Sequence, residues 1–253
     1  DVDRLLTFDL VLSGERAQGH ETQVAFYEQV LARLRAIPGV AGAGMAVTLP
    51  IGGDDFGAPI TIEGRPQPAG QAPVAGMQMV SPGYFEAAGM PLLAGRDVAL
   101  SDERDGHQVA VVNRAFAERH WPGESPIGKR FWLGTDTSDP LMEVVGLVGD
   151  VRHGGPSRAP RQEFYMPYTQ SSFSFMAVVV RAHGDPAALA TPVRQVILAL
   201  DPAQPVARLS TMDAHLRTSL AQPRFLSSLT LLFGALALVL SAIGIYGVMA
   251  WSV

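Results

Sequence analysis

The sequence predicts an α+β protein in which two β-α-β units form a ferredoxin-like layer, a β-rich subdomain is inserted between them, and a transmembrane helix follows. Three observations predict this fold class. A strand, an amphipathic helix, a proline stop and a second strand follow one another at 5–49 and again at 174–209. Proline and glycine are dense over 53–170. Residues 225–253 contain no charged side chain.

The first unit begins with a strand at 5–12, which Ser13-Gly14 ends. A helix over 20–36 follows, and Pro38-Gly39 stops it. Apolar residues recur in that helix at spacings of three and four, and this pattern predicts one buried stripe: Val24, Tyr27, Val30, Leu31 and Leu34. A strand of small residues at 41–49 completes the unit.

The inserted segment is predicted to consist of short strands, because brief apolar runs alternate there with turn residues. The predicted strands are 60–63, 77–80, 109–112, 130–133, 143–148 and 163–166. Two short helices are expected at 82–88 and 113–120. Asn113 can cap the second of them with its side-chain oxygen.

The second unit begins with a strand at 174–182. Asp185-Pro186 is typical of a helix start, and Asp201-Pro202 ends that helix. Pro192 should kink the helix or mark a second start. The expected buried stripe is Leu189, Val193, Val196, Ile197 and Leu200. A short strand at 206–209 follows.

The charge-free run at the end of the chain is long enough to cross a membrane as a helix over 225–251. A bilayer core of ~30 Å requires about 20 apolar residues in helical form. Phe225 lies at one end of the run, and Tyr246 and Trp251 lie near the other, as expected for aromatic residues at the two interfaces. A connecting helix is predicted before it, at 212–224.

Small residues recur along one face of this predicted membrane helix. They are Gly234, Ala237, Ser241, Gly244 and Gly247, at spacings of three, four, three and three. Such a stripe lets two helix backbones approach closely, which predicts a helix-packing face. The alternative is that glycine and alanine are simply common in membrane helices.

Composition excludes several functions. A net charge of −5 and a pI near 5.7 argue against a nucleic-acid partner. The absence of cysteine excludes disulfides, thiolate zinc sites and thiol catalysis. The six histidines are scattered, and no phosphate-binding G-x-x-x-x-G-K-[ST] motif exists. No catalytic, cofactor-binding or metal site is therefore predicted.

Two further segments have an ordinary interpretation and a functional one. DERDG at 102–106 lacks the alternating carboxylates of a calcium loop and is expected to be a solvated loop. Trp121, Phe131 and Trp132 could form an apolar binding surface, although aromatic side chains are more often part of a core.

An ordered set of segments resembles one protein family, the MacB/FtsX-like ABC transporter permeases. The segments are VSPGYFEAAGMPLLAGRDV (80–98), VAVVNRAFAERHWPGESPIGKRF (109–131), VVGLVGDVR (144–152), FYMPYTQ (164–170), VVVRAHGDPAALATPVRQVILALDPAQPV (178–206) and RFLSSLTLLFGALALVLSAIGIYGV (224–248). They are similar in order and spacing to the extracytoplasmic core and following membrane helix of that family.

The resemblance implies a domain organisation. The implied parts are a discontinuous periplasmic porter subdomain at 1–52 and 171–211, an inserted β-rich subdomain at 53–170, a connecting helix at 212–224 and a transmembrane helix at 225–251. The chain would then begin after a first membrane helix and end with the second. Residues 1–224 would be extracytoplasmic, at the bacterial inner membrane.

The resemblance also implies a function without enzymatic activity in this chain. Family members are homodimers that work with a cytoplasmic ATPase domain or subunit, so ATP is expected on that partner and no cofactor here. They transmit conformational change for export or extraction of a substrate, and some engage a periplasmic adaptor. The alternative is a membrane-anchored periplasmic binding or sensor domain without a transport role.

Overall fold

The computed structural model describes most of the chain up to Thr211 and a few positions beyond it. The described residues are 4–49, 56–65, 72–135, 138, 140–151, 160–202, 206–211, 233, 234, 237, 238 and 241. The chain divides into two units, 1–212 and 213–253.

The first unit has a mixed α+β architecture, as the sequence predicts. Its strands are β1 (Leu5–Val11), β2 (Val40–Ala46), β3 (Gly57–Ile62), β4 (Val74–Val80), β5 (Leu92–Gly95), β6 (Val109–Asn113), β7 (Arg130–Leu133), β8 (Leu141–Val148), β9 (Glu163–Pro167), β10 (Phe175–Ala182) and β11 (Val206–Thr211). Its helices are α1 (His20–Arg35), α2 (Tyr84–Ala88), α3 (Arg114–His120) and α4 (Ala190–Leu200), with 3-10 turns at Gly14–Ala17 and Pro186–Leu189.

Four strands form one part of the sheet, in the order β11-β1-β10-β2. Every neighbouring pair among them is antiparallel. The order places β1 between β10 and β11, although these two strands lie far from it in the sequence. Helices α1 and α4 contact each other and pack on this part of the sheet.

The remaining long strands close into a barrel. Strand β2 meets β4 where Ala46 pairs with Val80, and the order continues β4-β3-β7-β8-β6-β9. Strand β9 then pairs in parallel with β4, from Gly76 opposite Glu163 to Val80 opposite Pro167. Each of these six strands therefore pairs with two others, and the ring has no unpaired edge strand. Strand β5 pairs with β8 outside the ring.

One core lies between the four-stranded part and its helices. On α1, Tyr27, Val30, Leu31 and Leu34 are buried as predicted, whereas Val24 is half-buried. Phe26 also packs into this core. The other main contributors are Leu6, Phe8 and Leu10 of β1, Met45 of β2, Val178 and Val180 of β10, and Val193 and Ile197 of α4.

A second core fills the barrel. Its members include Ile60, Ala110, Val112, Phe116, Trp121, Phe131, Met142, Val144, Phe164 and Met166. Trp121 and Phe131 are thus core residues, and their interpretation as a binding surface is wrong; Trp132 is half-buried. The ring of Phe116 lies 5.4 Å from that of Phe131 and 5.8 Å from that of Trp121.

Strand β2 has two different faces, and this explains its small residues. Ala43 and Met45 point into the core beneath α1. Gly42 and Gly44 lie on the other face, against α2: a Cβ at Gly44 would lie 2.5 Å from Tyr84 Cα. Helices therefore cover both faces of this sheet, because α2 from the inserted segment supplies a second layer.

Several predicted boundaries are corrected by backbone geometry. Strand β5 was not predicted, because it has four residues and ends at Gly95, which has a φ of 74°. Helix α2 begins at Tyr84 rather than at 82, since Gly83 adopts a left-handed conformation. Pro192 lies in the first turn of α4, where its missing N–H costs no helical hydrogen bond. A second helix start is therefore present, at Ala190 rather than after Thr191 as the sequence suggested.

The C-terminal predictions fall largely outside the described residues. These include the connecting helix at 212–224 and most of the membrane helix at 225–251. The five described positions in that region, 233, 234, 237, 238 and 241, are helical. Within the described part of the chain, no helix is both long and apolar enough to span a bilayer.

Candidate functional site at the junction of sheet and barrel

The chain enters β1 and leaves β11 at the same end of these two neighbouring strands. We call these two points the chain connections. Leu6, near the start of β1, pairs with Thr211 at the end of β11. The Thr7 hydroxyl donates a hydrogen bond of 3.3 Å to the Ser210 carbonyl. The start of β1 and the end of β11 are therefore joined by strand pairing as well as by this side-chain hydrogen bond.

Helix α2 lies between the sheet and the barrel. Tyr84 is buried against Gly44 of β2. The ring of the next residue, Phe85, meets the ring of Tyr165 of β9 edge-on, with centroids 5.1 Å apart. The backbone of α2 at Tyr84 thus lies against the sheet, and the Phe85 ring contacts the barrel. Burial raises the pKa of Tyr84, and the nearby Glu163 raises it further, so its hydroxyl stays neutral.

Two arginines hold the ends of α2 on the sheet. Arg35 Nη2 donates to the Ala43 carbonyl at 2.8 Å and to the Pro82 carbonyl at 2.5 Å. Arg181 Nε, on β10, donates to the Ala87 carbonyl at 2.9 Å. Hydrogen bonds from charged donors are stronger than neutral ones. They attach both ends of a five-residue helix to the sheet.

A carboxylate from the barrel side completes this contact. Asp97 Oδ2 accepts a hydrogen bond of 3.0 Å from Gly83 N, and Oδ1 accepts from Val98 N. Burial raises the pKa of Asp97 above its usual value, although these N–H groups and Arg35 oppose the shift. We call Arg35, Asp97 and Arg181 the α2 clamp.

A second contact lies at the start of α1, where it meets the connection between β9 and β10. His20 Nε2 lies 2.6 Å from the Thr169 carbonyl, which can only accept, so Nε2 carries the proton. The Thr169 hydroxyl donates to the Asp102 carbonyl at 2.6 Å. Ser172 contacts His20 Nδ1 at 2.8 Å and donates to Gln23 Oε1. We call His20, Thr169 and Asp102 the connector clamp.

Asp102 is held in turn by an ion pair. Both of its oxygens accept from Arg96 at 2.8 Å, and Ala99 N donates to Oδ2. Burial alone would raise the pKa of Asp102, but Arg96 and the Ala99 N–H outweigh it and lower the pKa. Across the described ranges, no group of three His, Cys, Asp or Glu side chains could hold a metal ion.

Two buried polar residues order the barrel. Asn113 Oδ1 accepts from Phe116 N at 3.0 Å and from Glu163 N at 2.9 Å, so the predicted cap is confirmed and also binds β9. His120 Nε2 donates to Gln162 Oε1 at 2.9 Å. Burial lowers the pKa of His120; the Gln162 bond opposes this, and neighbouring arginines add to it.

An open groove of about 910 Å³ runs between α1 and the loop after β5. Its carboxylates are Glu21 and Glu28 on α1 and Glu103 and Asp105 on the loop. Leu100, which is 49 % exposed, lies at its rim. The groove is acidic because Arg104 is the single arginine or lysine among its lining residues.

The predicted helix-packing residues lie in the second unit. Gly234, Ala237 and Ser241 are helical and exposed. A methyl group at Gly234 would meet no described atom within 4 Å. Gly244 and Gly247 lie outside the described residues, and the packing face stays a prediction.

Sequence reasoning missed both clamps. Arg181 interrupts an otherwise apolar strand, and this was an available signal, because a charge in a buried strand needs a polar partner. The alternating glycines of β2 were a second signal. Neither of these two signals identifies α2 as the element that contacts Arg181 and β2, because that contact depends on the tertiary fold.

These features define a class of domain: an α+β sheet held by two neighbouring chain connections and extended by an inserted barrel. A model of the "MacB-like periplasmic core domain" matches residues 8–196. The chain belongs to this family, whose members are components of ABC transporter permeases, and the resemblance seen in the sequence is confirmed.

A curated relative agrees with this assignment. "Macrolide export ATP-binding/permease protein MacB" of Mannheimia succiniciproducens is 29% identical over 86 residues, which are 34% of this chain and 12% of that relative. The chain thus matches a small part of that protein's length.

One solved structure supports the fold, and a second is similar over most of the chain with a lower score. The periplasmic region of MacB from Actinobacillus actinomycetemcomitans is 12% identical, with a TM-score of 0.51 over 79% of this chain and 85% of that one. The extracellular domain of the noncanonic ABC-type transporter YknZ from Gram-positive bacteria is 16% identical, with a TM-score of 0.46 over 80% of this chain and 100% of that one.

Proposed function

We propose that this chain is the non-enzymatic extracytoplasmic core of an ABC-type permease in the bacterial inner membrane. It transmits conformational change between membrane helices and the periplasm, for export or extraction of a substrate. The observation that carries the proposal is the adjacency of the two chain connections, at Leu6 of β1 and Thr211 of β11. Membership of the MacB-like family supports it.

The four-stranded part would be the moving element. Its order β11-β1-β10-β2, with α1 and α4 as crossover helices, supports a ferredoxin-like porter subdomain formed by 1–52 and 171–211. The closed ring of strands supports an inserted subdomain at 53–170. Motion of the membrane helices would enter through β1 and β11.

The energy and the remaining contacts come from partners. A cytoplasmic ATPase domain or subunit binds ATP, the permease works as a homodimer, and a periplasmic adaptor is a further partner. The membrane helix at 225–251 packs on neighbouring helices through its small-residue face. Gly244→Leu should then impair transport without preventing membrane insertion; normal transport at normal abundance would contradict that packing role.

A flexible insertion tests the transmission directly. The chain has no cysteine. Leu198→Cys on α4, an exposed position, therefore gives one label per copy in the complete permease with its ATPase once any cysteines outside these 253 residues are replaced. ATP should change the distance between the two labels. A glycine-serine linker inserted directly after Thr211 should abolish that change, because it would separate β11 from the predicted connecting helix at 212–224 by a flexible segment.

The control places the same linker after Gly134, in the connection between β7 and β8, where it leaves both chain connections intact. That variant should keep the ATP-dependent change. A full change in the variant with the linker after Thr211, at normal abundance, would refute transmission through this connection.

The acidic groove favours a second candidate, a membrane-anchored binding or sensor domain without a transport role. In that case α1 and the loop at 100–105 would receive a ligand, and the span would serve as an anchor. Replacing 225–251 with polyleucine distinguishes the two. The permease requires the native helix, whereas an anchored domain keeps its full function with any apolar helix.

A further inference from the structure

We infer that the α2 clamp and the connector clamp fix the barrel to the four-stranded part, so that the two move as one rigid body. The biological purpose of this rigidity rests on the proposed function. Motion that enters at β1 and β11 would reach the barrel in full only if the junction does not bend. The physical claim itself concerns the resting molecule and can be tested without transport.

The direct strand contact at the junction is too short to fix the angle between the two parts. Ala46 pairs with Val80, and two backbone hydrogen bonds flank that pair, from Val47 N to the Met79 carbonyl and from Ser81 N to the Met45 carbonyl. Side-chain hydrogen bonds extend the contact by a few residues: Ser81 Oγ accepts from Met45 N, and Gln78 exchanges two hydrogen bonds with Thr48. All of these bonds lie along one short pair of strand ends, so they hold the strands together but resist rotation about that line weakly.

The two clamps lie at different sides of that contact. The α2 clamp acts on the face of β2 that carries Gly42 and Gly44. The connector clamp acts at the start of α1, whose side chains cover the opposite face with Ala43 and Met45. Bending toward one face stretches the clamp on the other face, so the pair restrains rotation in both directions.

The packing at α2 adds a restraint that side-chain rotation cannot relieve. Tyr84 is 1% exposed and Phe85 is 2% exposed. The backbone at Tyr84 lies against Gly44 of β2, and the Phe85 ring packs on Tyr165 of β9 in the barrel. Because interiors are close-packed, a hinge here would have to open space on one side of α2 and remove it on the other. Gly44 allows this fit, since any side chain there would meet the α2 backbone.

Spin-label distances in the full chain test rigidity. One label pair crosses the junction, Leu198→Cys on α4 with Val74→Cys on β4, and a reference pair lies within the four-stranded part, Leu198→Cys with Val11→Cys. All three positions are exposed. We expect the two distance distributions to be equally narrow in the resting protein. A distribution across the junction that is about twofold broader or more than the reference would overturn the inference.

Arg35→Ala combined with Arg181→Ala should broaden the distribution across the junction about twofold or more and leave the reference pair unchanged. The matched control is Arg33→Ala, on the same helix as Arg35, since Arg33 forms no hydrogen bond or ion pair within the described residues. A narrow distribution in the double variant would refute the role of the α2 clamp.

Circular dichroism shows whether the double variant folds. If it does not, the comparison of the two label pairs in the unsubstituted protein still tests rigidity. Arg35→Lys then replaces the double variant, because one ammonium cannot reproduce the planar donor set that reaches both carbonyls. The outcome is independent of the proposed function. A permease with a bending junction would show a broad distribution across it, and a rigid domain without transport would show a narrow one.

Discussion

Single polar side chains join distant parts of this molecule at buried positions. Asn113 is fully buried, yet its oxygen accepts from two backbone N–H groups and its amide donates to the Arg161 carbonyl at 2.7 Å. One residue thereby caps α3 and fixes the start of β9. Sequence pattern predicts the cap, because Asn precedes an amphipathic segment, but it does not predict the second bond, which depends on where β9 lies.

Asn113→Ala should lower the free energy of unfolding by about 2–4 kcal/mol, because Phe116 N and Glu163 N both lose their acceptor in a buried site. Urea unfolding followed by tryptophan fluorescence, to which buried Trp121 contributes, measures this. The control is Asp185→Ala, which removes an exposed cap on one N–H and should cost less than about 1 kcal/mol. Equal losses in the two variants would contradict the account.

His120 should make the fold less stable in acid. Its pKa is lowered from 6.5 in the folded protein by burial, so the unfolded chain takes up a proton at a higher pH than the folded one. The stability that neutral His120 provides is present above about pH 6.5 and is lost as the pH falls through the lowered pKa. Urea unfolding from pH 7.5 to 5 should be less pH-dependent in His120→Gln; an unchanged slope would exclude this role.

At the scale of elements, the two faces of β2 decide how the parts meet. Small residues alternate along it because one face meets α1 and the other meets the backbone of α2. Helix α2 itself is bounded by Gly83 and Gly89, both in the left-handed conformation. The chain can thus turn sharply before and after a helix of one and a half turns and place it against the sheet.

Gly44→Ala should lower the free energy of unfolding by about 1–3 kcal/mol, because the added Cβ would overlap the Tyr84 backbone. Gly184→Ala is the matched control, since a Cβ there meets no atom within 4 Å and the φ of Gly184 is not in the positive region. Thermal unfolding of both variants measures the difference. A Gly44 variant as stable as the Gly184 variant would show that α2 does not pack as described.

Sequence periodicity predicts the strands and helices of this chain better than their pairing. The strand at 5–12, the helix at 20–36 and the strand at 174–182 follow from local apolar patterns, and each is found within one or two residues. The parallel closure of β9 on β4 depends on contacts between segments far apart in sequence. A local apolar pattern indicates which face of a strand is buried, but it does not identify the distant strand with which it pairs. The contacts of the two clamps likewise depend on segments far apart in sequence.

At the scale of the whole molecule, a continuous series of strand pairings and hydrogen bonds runs through the first unit. It begins at the neighbouring ends of β1 and β11, crosses to β10 and β2 through antiparallel pairing, and passes through α2 and the connection after β9 into the barrel. Under the proposed function, motion that enters at the two chain connections reaches the inserted barrel along these contacts.

The most direct test measures the distance between the two copies in the complete permease with its ATPase, with and without ATP. One variant carries Leu198→Cys on the four-stranded part, and another carries Val74→Cys on the barrel; both positions are exposed. The account predicts that ATP changes both distances together. No change at either position would contradict transmission, and a change at Leu198→Cys without one at Val74→Cys would show that motion stops at the junction.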